Sequence, residues 1–370
     1  MKELYILSDS YVPSSAATNH LFAYARGLAE WGVKISLFFL HPYHNREKYQ
    51  GEIAPNIDIH YVWDGIGLKN KYLRYIEAVR RFFCIMKPEI PVLVAGASSI
   101  VFLLRQKKGI RLYHERTENP QRVKGLFGGL YKRALPKLDG LFVITPSLRQ
   151  LFIDDYGIPA EKIVVTNMVV DTHRFDKLED VKADKTISYC GTISEWKDGV
   201  SYLIKAFAIV NKKYPDYKLV LMGGFENIET KASIMSLTEE LNLSNKVVFL
   251  GVIPSEEMPY RLKASGILAL SRPRQKEKAF GFATKIGEYL LSERPVVLTD
   301  VGDASFYLHD KKDVVFSRPN AEQDFASCLT WVIEHPSEAA LIGKEGAETA
   351  RRVFNYKIEA RKIVDTVFGN

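Results

Sequence analysis

The chain has 370 residues, of which 46% are hydrophobic, 12% aromatic and 26% charged, a composition that excludes a disordered protein and is typical of a soluble globular one. Its 51 Lys and Arg outnumber its 44 Asp and Glu. The formal net charge of +7 fits a phosphate, a nucleic acid or an anionic membrane as partner without selecting one. The three cysteines lie far apart, which argues against a zinc site or a disulfide framework and favours a reducing compartment.

The N-terminus turns polar too soon for a signal peptide, so we predict a first strand at Leu4–Leu7. The most apolar stretch, Ile90–Leu104, is short for a bilayer span and is interrupted by Pro91 and Gly96. These features predict a cytoplasmic chain, either free or attached peripherally to the inner face of the plasma membrane.

Short β-branched runs alternate with helical patterns along the whole chain, and a charged segment poor in apolar residues, 176–185, separates two such series. The predicted strands are Leu4–Leu7, Ile35–Leu40, Val92–Ala95, Ile110–Tyr113, Leu141–Ile144 and Ile163–Val165, then Thr186–Tyr189, Leu219–Met222, Val247–Leu250, Ile267–Leu270, Val296–Leu298 and Val314–Phe316. This alternation predicts an α/β protein of two doubly wound, Rossmann-like parallel-sheet domains, 1–175 and 176–350, followed by a C-terminal helix within 351–370. In such sheets ligands bind beyond the carboxyl ends of the strands.

Small residues fill the loop between the first strand and the first helix. They are Ser14, Ser15, Ala16 and Ala17. Small side chains leave the backbone approachable by a ligand, although they lack the conformational freedom of glycine. A capped turn that only starts the helix is an equally good interpretation.

Positive charge is concentrated in residues 69–137, which hold 16 basic and 4 acidic residues, a net of +12. The basic residues are mixed with aromatic ones on predicted helices, a pattern that suits an anionic membrane surface. Ordinary amphipathic helices with solvated Lys and Arg are the alternative.

A polar cluster follows the predicted strand Ile110–Tyr113. Its members are His114, Glu115, Arg116 and Glu118. Such a cluster at a strand end is hard to explain by packing, so we expect it to face a ligand. An ion pair between Arg116 and a nearby glutamate, which would only maintain the fold, is the alternative.

The loop after the predicted strand Thr186–Tyr189 begins with Gly191 and Thr192, and Lys197 stands just ahead of the next helix. A lysine there provides a compact positive charge for a phosphate oxygen. An exposed loop lysine without a ligand is the usual explanation of such a residue.

The loop after the predicted strand Ile267–Leu270 is basic. Its cations are Arg272, Arg274, Lys276 and Lys278. We predict that the following helix begins near Ala283, with its free amides turned toward the strand ends, which makes an anion site. Lys285 and Glu288 share one face of this helix, so a carboxylate suited to ribose hydroxyls lies beside the anion. A solvated basic loop before a core helix is the alternative.

In the order of these motifs, the chain resembles retaining, nucleotide-sugar-dependent glycosyltransferases of the GT-B architecture, family 4 type, as found in bacterial surface-polysaccharide synthesis. The resemblance rests on Asn167–Phe175, Gly191–Phe207 and Gly281–Val297 and extends over nearly the whole chain. It implies two Rossmann-like domains that face a cleft, the first for the acceptor and the second for the donor, with the C-terminal helix crossing back to the first.

Carried over by position, the resemblance implies that Lys197 holds the donor diphosphate and that Glu288 binds the ribose. With His114 and Glu115, which would contact sugar hydroxyls, they form our catalytic candidates. The donor-binding candidates are Gly191, Thr192, Lys197, Gly223, Arg272, Gly281, Phe282, Ala283, Thr284, Lys285 and Glu288. The acceptor-side candidates are Ser14, Ser15, Ala16, Ala17, His114, Glu115, Arg116 and Glu118.

Two positions depart from the family pattern. Phe280 stands where a sugar-contacting glutamate is frequent, and Thr192 stands where a phosphate-binding arginine is frequent. Arg272 and Lys285 are the substitutes that we favour.

The resemblance implies sugar transfer from a UDP- or GDP-sugar to a saccharide or lipid-linked saccharide in capsule, O-antigen or exopolysaccharide synthesis. It implies no further cofactor and no metal: the chain has no D-x-D motif, and the leaving phosphate itself would accept the acceptor proton. A sugar-nucleotide epimerase on the same fold is one alternative. A non-enzymatic anion- or nucleic-acid-binding protein is another, less favoured because no nucleic-acid-binding signature is present. We predict no nucleic-acid partner, an anionic membrane contact through residues 69–137, and a chain compatible with a monomer.

Overall fold

The computed structural model describes residues 2–13, 15–41, 48–63, 70–96, 100–105, 107–119, 125–176, 178, 181–274 and 280–369, without the side chains of 41, 71–72 and 125–127. The chain divides into two units. The first comprises Met1–Asp171, Phe280–Phe282 and Asn355–Asn370, and the second comprises Thr172–Ala279 and Ala283–Phe354. The division after Asp171 falls four residues before the boundary expected from the sequence.

The first unit contains, among its described residues, a seven-stranded parallel sheet of order β3-β2-β1-β4-β5-β6-β7. Its strands are β1 Lys2–Ser10, β2 Val33–His41, β3 Ile57–Tyr61, β4 Val92–Ala95, β5 Leu112–Arg116, β6 Gly140–Val143 and β7 Ile163–Val165. Its helices are α1 Ala16–Glu30, α2 Lys71–Ile85, α3 Val101–Leu104, α4 Gly125–Ala134, α5 Pro146–Tyr156 and α14 Tyr356–Phe368.

The second unit contains a six-stranded parallel sheet of order β10-β9-β8-β11-β12-β13 in the described part of the chain. Its strands are β8 Thr186–Cys190, β9 Lys218–Met222, β10 Val247–Gly251, β11 Ile267–Leu270, β12 Val296–Thr299 and β13 Val315–Ser317. Its helices are α6 Glu195–Asp198, α7 Val200–Lys213, α8 Ile228–Glu240, α9 Met258–Ala264, α10 Lys285–Leu291, α11 Ala304–Tyr307, α12 Glu322–Glu334 and α13 Pro336–Val353.

The predicted α/β fold of two doubly wound parallel sheets is confirmed. Of the differences between the first sheet and the prediction, two matter here. The edge strand β3 was missed, because its burial alternates along Ile57–Tyr61 and it lacks the continuous apolar run of a central strand. The strand β5 begins and ends later than expected, so His114–Arg116 lie on the strand and not in the loop after it.

The last helix packs into the core of the first unit. Tyr356, Ala360 and Ile363 of α14 are buried there together with residues of α1. Gly27 of α1 allows the close approach, because a Cβ at this position would lie 2.7 Å from both the Ala360 Cβ and the Tyr356 carbonyl oxygen. The C-terminal helix, expected at Tyr356–Val367 from the sequence, is α14 and belongs to the first unit, whereas α13 ends at Val353 in the second.

The apolar stretch Ile90–Leu104 contributes β4 and α3. Within the described ranges, no helix has both the length and the apolar character that a bilayer crossing requires.

Candidate functional site

Three adjacent strands of the second sheet end in residues that the sequence had singled out. Gly223 follows β9, Gly191 follows β8, and Arg272 comes two residues after β11. The glycines have φ of +141° and +144°, a backbone conformation that residues with a side chain rarely adopt. A Cβ on Gly223 would collide with the Gly191 carbonyl oxygen, and a Cβ on Gly191 would collide with the Lys285 ammonium group. The three strand ends therefore form one tightly packed edge beside a cation.

Helix α10 is fixed against this edge by Tyr289. Its hydroxyl accepts a hydrogen bond from the Cys190 amide at 2.6 Å and lies 3.2 Å from the Cys190 carbonyl oxygen, to which it donates. The helix begins at Lys285 with Thr284 as its N-cap, two residues later than predicted, and Thr284 makes no side-chain capping bond.

A buried charge cluster lies under the edge; we name Tyr189, Asp198, Arg272 and Lys285 the Asp198 cluster. The Lys285 Nζ is 2.6 Å from the Asp198 Oδ2 and 3.1 Å from the Tyr189 hydroxyl. Tyr189 donates to the same carboxylate at 2.7 Å, and the Arg272 Nε lies 3.6 Å from the Asp198 Oδ1. Two cations thus share one carboxylate, which leaves an excess of positive charge.

Burial and charge act on these groups in opposite directions. Burial alone would raise the pKa of Asp198, but Lys285, Tyr189 and Arg272 together hold it below its ordinary value. Burial lowers the pKa of Lys285, Asp198 opposes this shift, and the nearby charge of Lys197 lowers it further. Lys285, expected to bind the donor directly, is thus engaged by Asp198. Sequence reasoning gave no role to Asp198, although it lies next to Lys197 in the Gly191–Phe207 motif.

Lys197 is exposed on the single turn of α6, close to the cluster. The Ser194 hydroxyl caps this turn by accepting a hydrogen bond from the Lys197 amide at 3.1 Å. The Tyr189 hydroxyl is also 2.7 Å from the carbonyl oxygen of the exposed Thr192, which ties the preceding loop to the same cluster. Lys197 and Thr192 are therefore exposed to solvent, and their segments are held by hydrogen bonds of Ser194 and Tyr189.

Glu288 is paired with Arg174 in the second unit. Its Oε1 accepts a hydrogen bond from the Arg174 Nη1, while the Arg174 Nη2 donates to the Ser255 carbonyl oxygen and lies 3.2 Å from the Ser255 hydroxyl. The carboxylate expected to bind a ribose thus already holds a guanidinium group. Arg174 lies in the Asn167–Phe175 motif, but its side chain was not considered from the sequence.

The segment before α10 is divided between the units. Gly281 and Phe282 are buried and belong to the first unit, whereas Ala283 and Thr284 are half-buried and belong to the second. Gly281 has a φ of +108°, which explains the glycine. Lys276 and Lys278 lie outside the described residues.

The described part of the loop after β1 contains a capped turn, and contact of this loop with an acceptor stays a prediction. The Ser15 hydroxyl accepts a hydrogen bond from the Thr18 amide at 3.1 Å and caps α1, whose first residues are Ala16 and Ala17. Ser14 lies outside the described residues.

His114 does not have the position expected of a sugar contact. Its side chain is fully buried, with Nδ1 2.8 Å from the Val94 carbonyl oxygen and Nε2 3.0 Å from the Tyr131 hydroxyl. Burial, with a smaller effect of Arg116, lowers the pKa of His114 to about 3, so the ring is neutral. Because a carbonyl only accepts, Nδ1 carries the proton and Nε2 accepts from Tyr131. Both nitrogens are used, and we correct this candidate to a core residue.

Glu115 is also buried, but it faces a partner that the sequence had not indicated. Its Oε1 lies 2.5 Å from the Nε2 of His20 on α1, and the His20 Nδ1 is buried without a hydrogen-bond partner among the described residues. The one signal for His20 was a polar residue on the buried face of α1. Arg116 donates from Nη2 to the Glu118 carbonyl oxygen at 3.0 Å, so it braces its own loop.

No set of three or more His, Cys, Asp or Glu side chains in the described ranges is arranged to hold a metal ion.

Two family models match the chain in succession. The model described as Glycosyltransferase Family 4 matches residues 17–174, and the model described as Glycosyl transferases group 1 matches residues 170–349. The two matches follow the two units closely.

Two curated proteins are similar in sequence. Mannosylfructose-phosphate synthase of Agrobacterium fabrum strain C58 is 25% identical over 246 residues, covering 62% of this chain and 53% of that protein. An uncharacterized glycosyltransferase of Methanocaldococcus jannaschii is 32% identical over 111 residues, covering 30% of this chain and 24% of that protein. The chain thus spans about half the length of the first relative and about a quarter of the second.

Solved structures are similar over the full chain. The crystal structure of Anabaena Alr3699/HepE in complex with UDP aligns over 100% of both chains, with a TM-score of 0.77 and 16% identity. Sucrose-phosphate synthase from Thermosynechococcus elongatus aligns over 98% of this chain and 97% of that chain, with a TM-score of 0.76 and 16% identity. At these identities the likeness establishes the fold.

Proposed function

We propose that this chain of the GT-B fold is a glycosyltransferase, and that it transfers a sugar from a nucleotide diphosphate sugar to a saccharide or lipid-linked saccharide. We assign the donor to the second unit and the acceptor to the first. The observation that carries this proposal is the edge formed by Gly191, Gly223 and Arg272 above the Asp198 cluster, because backbone without side chains beside excess cationic charge suits a diphosphate.

In this proposal Lys197 is the direct ligand of the donor diphosphate, since its side chain is exposed beside the buried cluster. Arg272 contributes a guanidinium group at the end of β11. Lys285 does not contact the donor in this proposal. It is held by Asp198 and makes the electrostatic potential at the edge positive. The amides of Thr192, Ala283 and Thr284 complete the anion site.

Glu288 accepts hydrogen bonds from the ribose hydroxyls in this proposal. Arg174 must then leave the carboxylate or share it when the nucleotide binds, because a ribose and a guanidinium group compete for the same oxygens. UDP is the first nucleotide to test, since the similar Anabaena protein was crystallised with UDP. GDP remains the second choice.

The chemistry that we propose is retaining and independent of a metal ion. The cations at the edge stabilise the negative charge that develops on the leaving diphosphate, and the fixed backbone around Gly191 positions the donor. The leaving phosphate takes the proton of the acceptor hydroxyl, so the chain supplies no general base. The neutral, fully bonded His114 accords with that assignment.

On the acceptor side we retain Glu115 and add His20. The two lie together near the carboxyl end of β5, and the His20 Nδ1, which has no hydrogen-bond partner in the part of the chain that the structure describes, is a polar atom for a hydroxyl group. We place the reaction in the synthesis of a capsule, an O-antigen or an exopolysaccharide, as the resemblance implies.

We further propose that the first unit contacts an anionic membrane surface. Its helix α2 exposes Leu73 and Ile76 beside Arg74, a mixture of apolar and cationic groups that suits a lipid headgroup layer. A chain at the inner face of the plasma membrane would reach lipid-linked acceptors.

Incubation of the chain with UDP- and GDP-sugars tests the reaction. We expect release of the nucleoside diphosphate that increases with a saccharide acceptor, and a product whose anomeric configuration, read by NMR, equals that of the donor. Epimerisation of the donor without release would contradict the proposal. The Lys197→Ala variant should lose the release, whereas Lys344→Ala, an exposed lysine on α13, should keep it.

A further inference from the structure

The first unit contains a cavity of 480 Å³ that none of the assignments above uses. Its wall is formed by α3, α4 and the chain that leads from α3 to β5. The described residues that line it include no Asp or Glu. Its cations are Arg105, Lys107, Lys108, Arg133 and Lys137. Phe102 and Leu130 supply an apolar part of the wall. Cavities of about 300–1,000 Å³ are the usual size for small-molecule ligands, so the space is sufficient for a phosphorylated headgroup.

The cavity and the acceptor-side residues lie at opposite ends of the strands. Residues 105–111 lead into the first residue of β5, and residues 135–139 lead into the first residue of β6. Both segments therefore lie at the amino ends of parallel strands, whereas Glu115 and Arg116 lie at the carboxyl end of β5. The cavity is thus not a part of the acceptor site.

Among the described residues, only one cation of the cavity, Arg105, has an acidic partner. The Arg105 Nη1 is 3.9 Å from the Asp139 Oδ2, but that oxygen already accepts a hydrogen bond from the Leu112 amide at 2.7 Å. The Lys107 Nζ donates to the Phe83 carbonyl oxygen at 3.4 Å. Among the described residues, Lys108, Arg133 and Lys137 make no ion pair.

The dipole at the C-terminal end of helix α4 balances only a small part of the positive charge of the cavity. A cation in the last turn of a helix, such as Arg133, offsets roughly half an elementary charge of the helix dipole. Five cations around one cavity exceed that by several charges. Like charges that line one cavity repel one another, and an anion bound among them relieves the repulsion.

We propose that this cavity binds a phosphate group, carried either by an anionic lipid headgroup or by a free phosphorylated ligand. Its Lys107 contacts Phe83 at the end of α2, two residues before the exposed Ile85, which favours the lipid as the source. The inference deepens the membrane proposal and rests on it for the lipid source, but it does not depend on the donor chemistry.

The test uses the full chain, a triple variant of the cavity and a matched control. The cavity variant combines Lys108→Gln, Arg133→Gln and Lys137→Gln. The control combines Lys212→Gln, Lys218→Gln and Lys344→Gln, three exposed lysines of the second unit, so that both lose the same charge. The probes are inorganic diphosphate, measured by calorimetry, and phosphatidylcholine vesicles with and without phosphatidic acid, measured by flotation. Thermal unfolding confirms that both variants fold. Both keep the proposed donor site unchanged, so diphosphate bound there contributes equally to the two titrations.

We expect the cavity variant to bind at least one probe about tenfold more weakly than the control, because each cation near an anionic surface contributes to binding. Loss of flotation identifies the lipid as the source, and loss of diphosphate binding alone identifies a free ligand. Equal binding of both probes by the two triple variants would overturn the cavity site. In that case flotation of the unmodified chain still tests the membrane proposal, and nucleotide release tests the reaction, separately.

Discussion

Asp198 is a carboxylate with only 2% of its side chain exposed, and it is held between the cations of Lys285 and Arg272. Its role is to keep those cations in place under the strand ends. Neither the spacing nor the composition of the sequence reveals such a role, because an acid beside a lysine in a loop is usually solvated. Its burial, which only the fold establishes, puts it beneath the proposed donor site.

Asp198→Asn should destabilise the second unit by about 3 kcal/mol, because it leaves a buried lysine without its counter-charge. Urea unfolding measures the effect. Asp216→Asn, which removes an exposed partner of Lys185, is the control and should change the midpoint little. A loss no larger than that of the control would contradict the role given to Asp198.

Arg174→Gln tests whether the guanidinium group competes with the ribose for Glu288. We expect this variant to bind the preferred nucleoside diphosphate several-fold more tightly, since no ion pair has to be broken first. Calorimetry gives the affinity, and Arg261→Gln, which removes an exposed arginine of α9, is the control. Weaker binding by Arg174→Gln would show that Arg174 contacts the nucleotide itself.

His114 makes a specific contribution to the pH dependence of stability. Its pKa is about 3 in the folded chain, below the ordinary value of 6.5, so the unfolded chain takes up the proton first as the pH falls. The neutral ring stabilises the fold fully above pH 6.5, and this contribution declines toward pH 3. The stability gap between the unmodified chain and His114→Gln should therefore narrow by about 2 to 3 kcal/mol between pH 7 and pH 4.5. Urea titrations of the two proteins at both pH values measure the gap, and a gap that does not change with pH would contradict the buried neutral ring.

At the scale of elements, the strand ends of the second sheet depend on close backbone contact. Gly223 follows β9 and touches Gly191 after β8, so the edge has no room for a side chain. Sequence reasoning predicted all six strands of this sheet and both glycines, because continuous apolar runs and glycines are local signals. It could not predict that the two glycines touch, since their contact joins positions 32 residues apart in sequence.

Gly223→Ala should destabilise the chain by at least about 2 kcal/mol and weaken nucleotide binding, because both the positive φ and the Gly191 carbonyl oppose a Cβ. The neighbouring Gly224→Ala is the control, since its Cβ would meet only the Val252 side chain at 3.4 Å. Thermal unfolding and calorimetry measure the two effects. A similar loss in both variants would contradict the contact.

Helix α14 packs against α1 at Gly27, so the stability of the first unit depends on the small size of this residue. Gly27→Ala should destabilise the first unit, because its Cβ would lie 2.7 Å from the Ala360 Cβ, despite the better helix propensity of alanine. Gly129→Ala on α4 has open space and should stabilise the chain by up to about 1 kcal/mol. Urea unfolding of the two variants separates packing from propensity, and equal effects would contradict the packing.

In the whole molecule, which has a net charge of +7, positive charge is concentrated at two separate sites. One is the cationic edge of the second unit, where Asp198 compensates only part of the charge of Arg272 and Lys285. The other is the basic cavity of the first unit, at the amino ends of β5 and β6. The sequence showed that residues 69–137 are basic, but only the fold groups five of those cations around one cavity. His114 shows the opposite outcome, because β5 ends at Arg116, three residues after the predicted end at Tyr113, and an expected ligand contact is a core residue.

In our proposal the second unit binds a nucleoside diphosphate at the edge of Gly191, Lys197 and Glu288. Calorimetric titration of the chain with UDP, GDP, ADP and CDP tests it most directly. We predict that one of these binds with one-to-one stoichiometry. Lys197→Ala and Glu288→Ala should each weaken that binding about tenfold or more, the loss of one charge-assisted contact, whereas Glu239→Ala on α8 should not. Absence of binding by all four nucleotides, or equal binding by all three variants, would contradict the account.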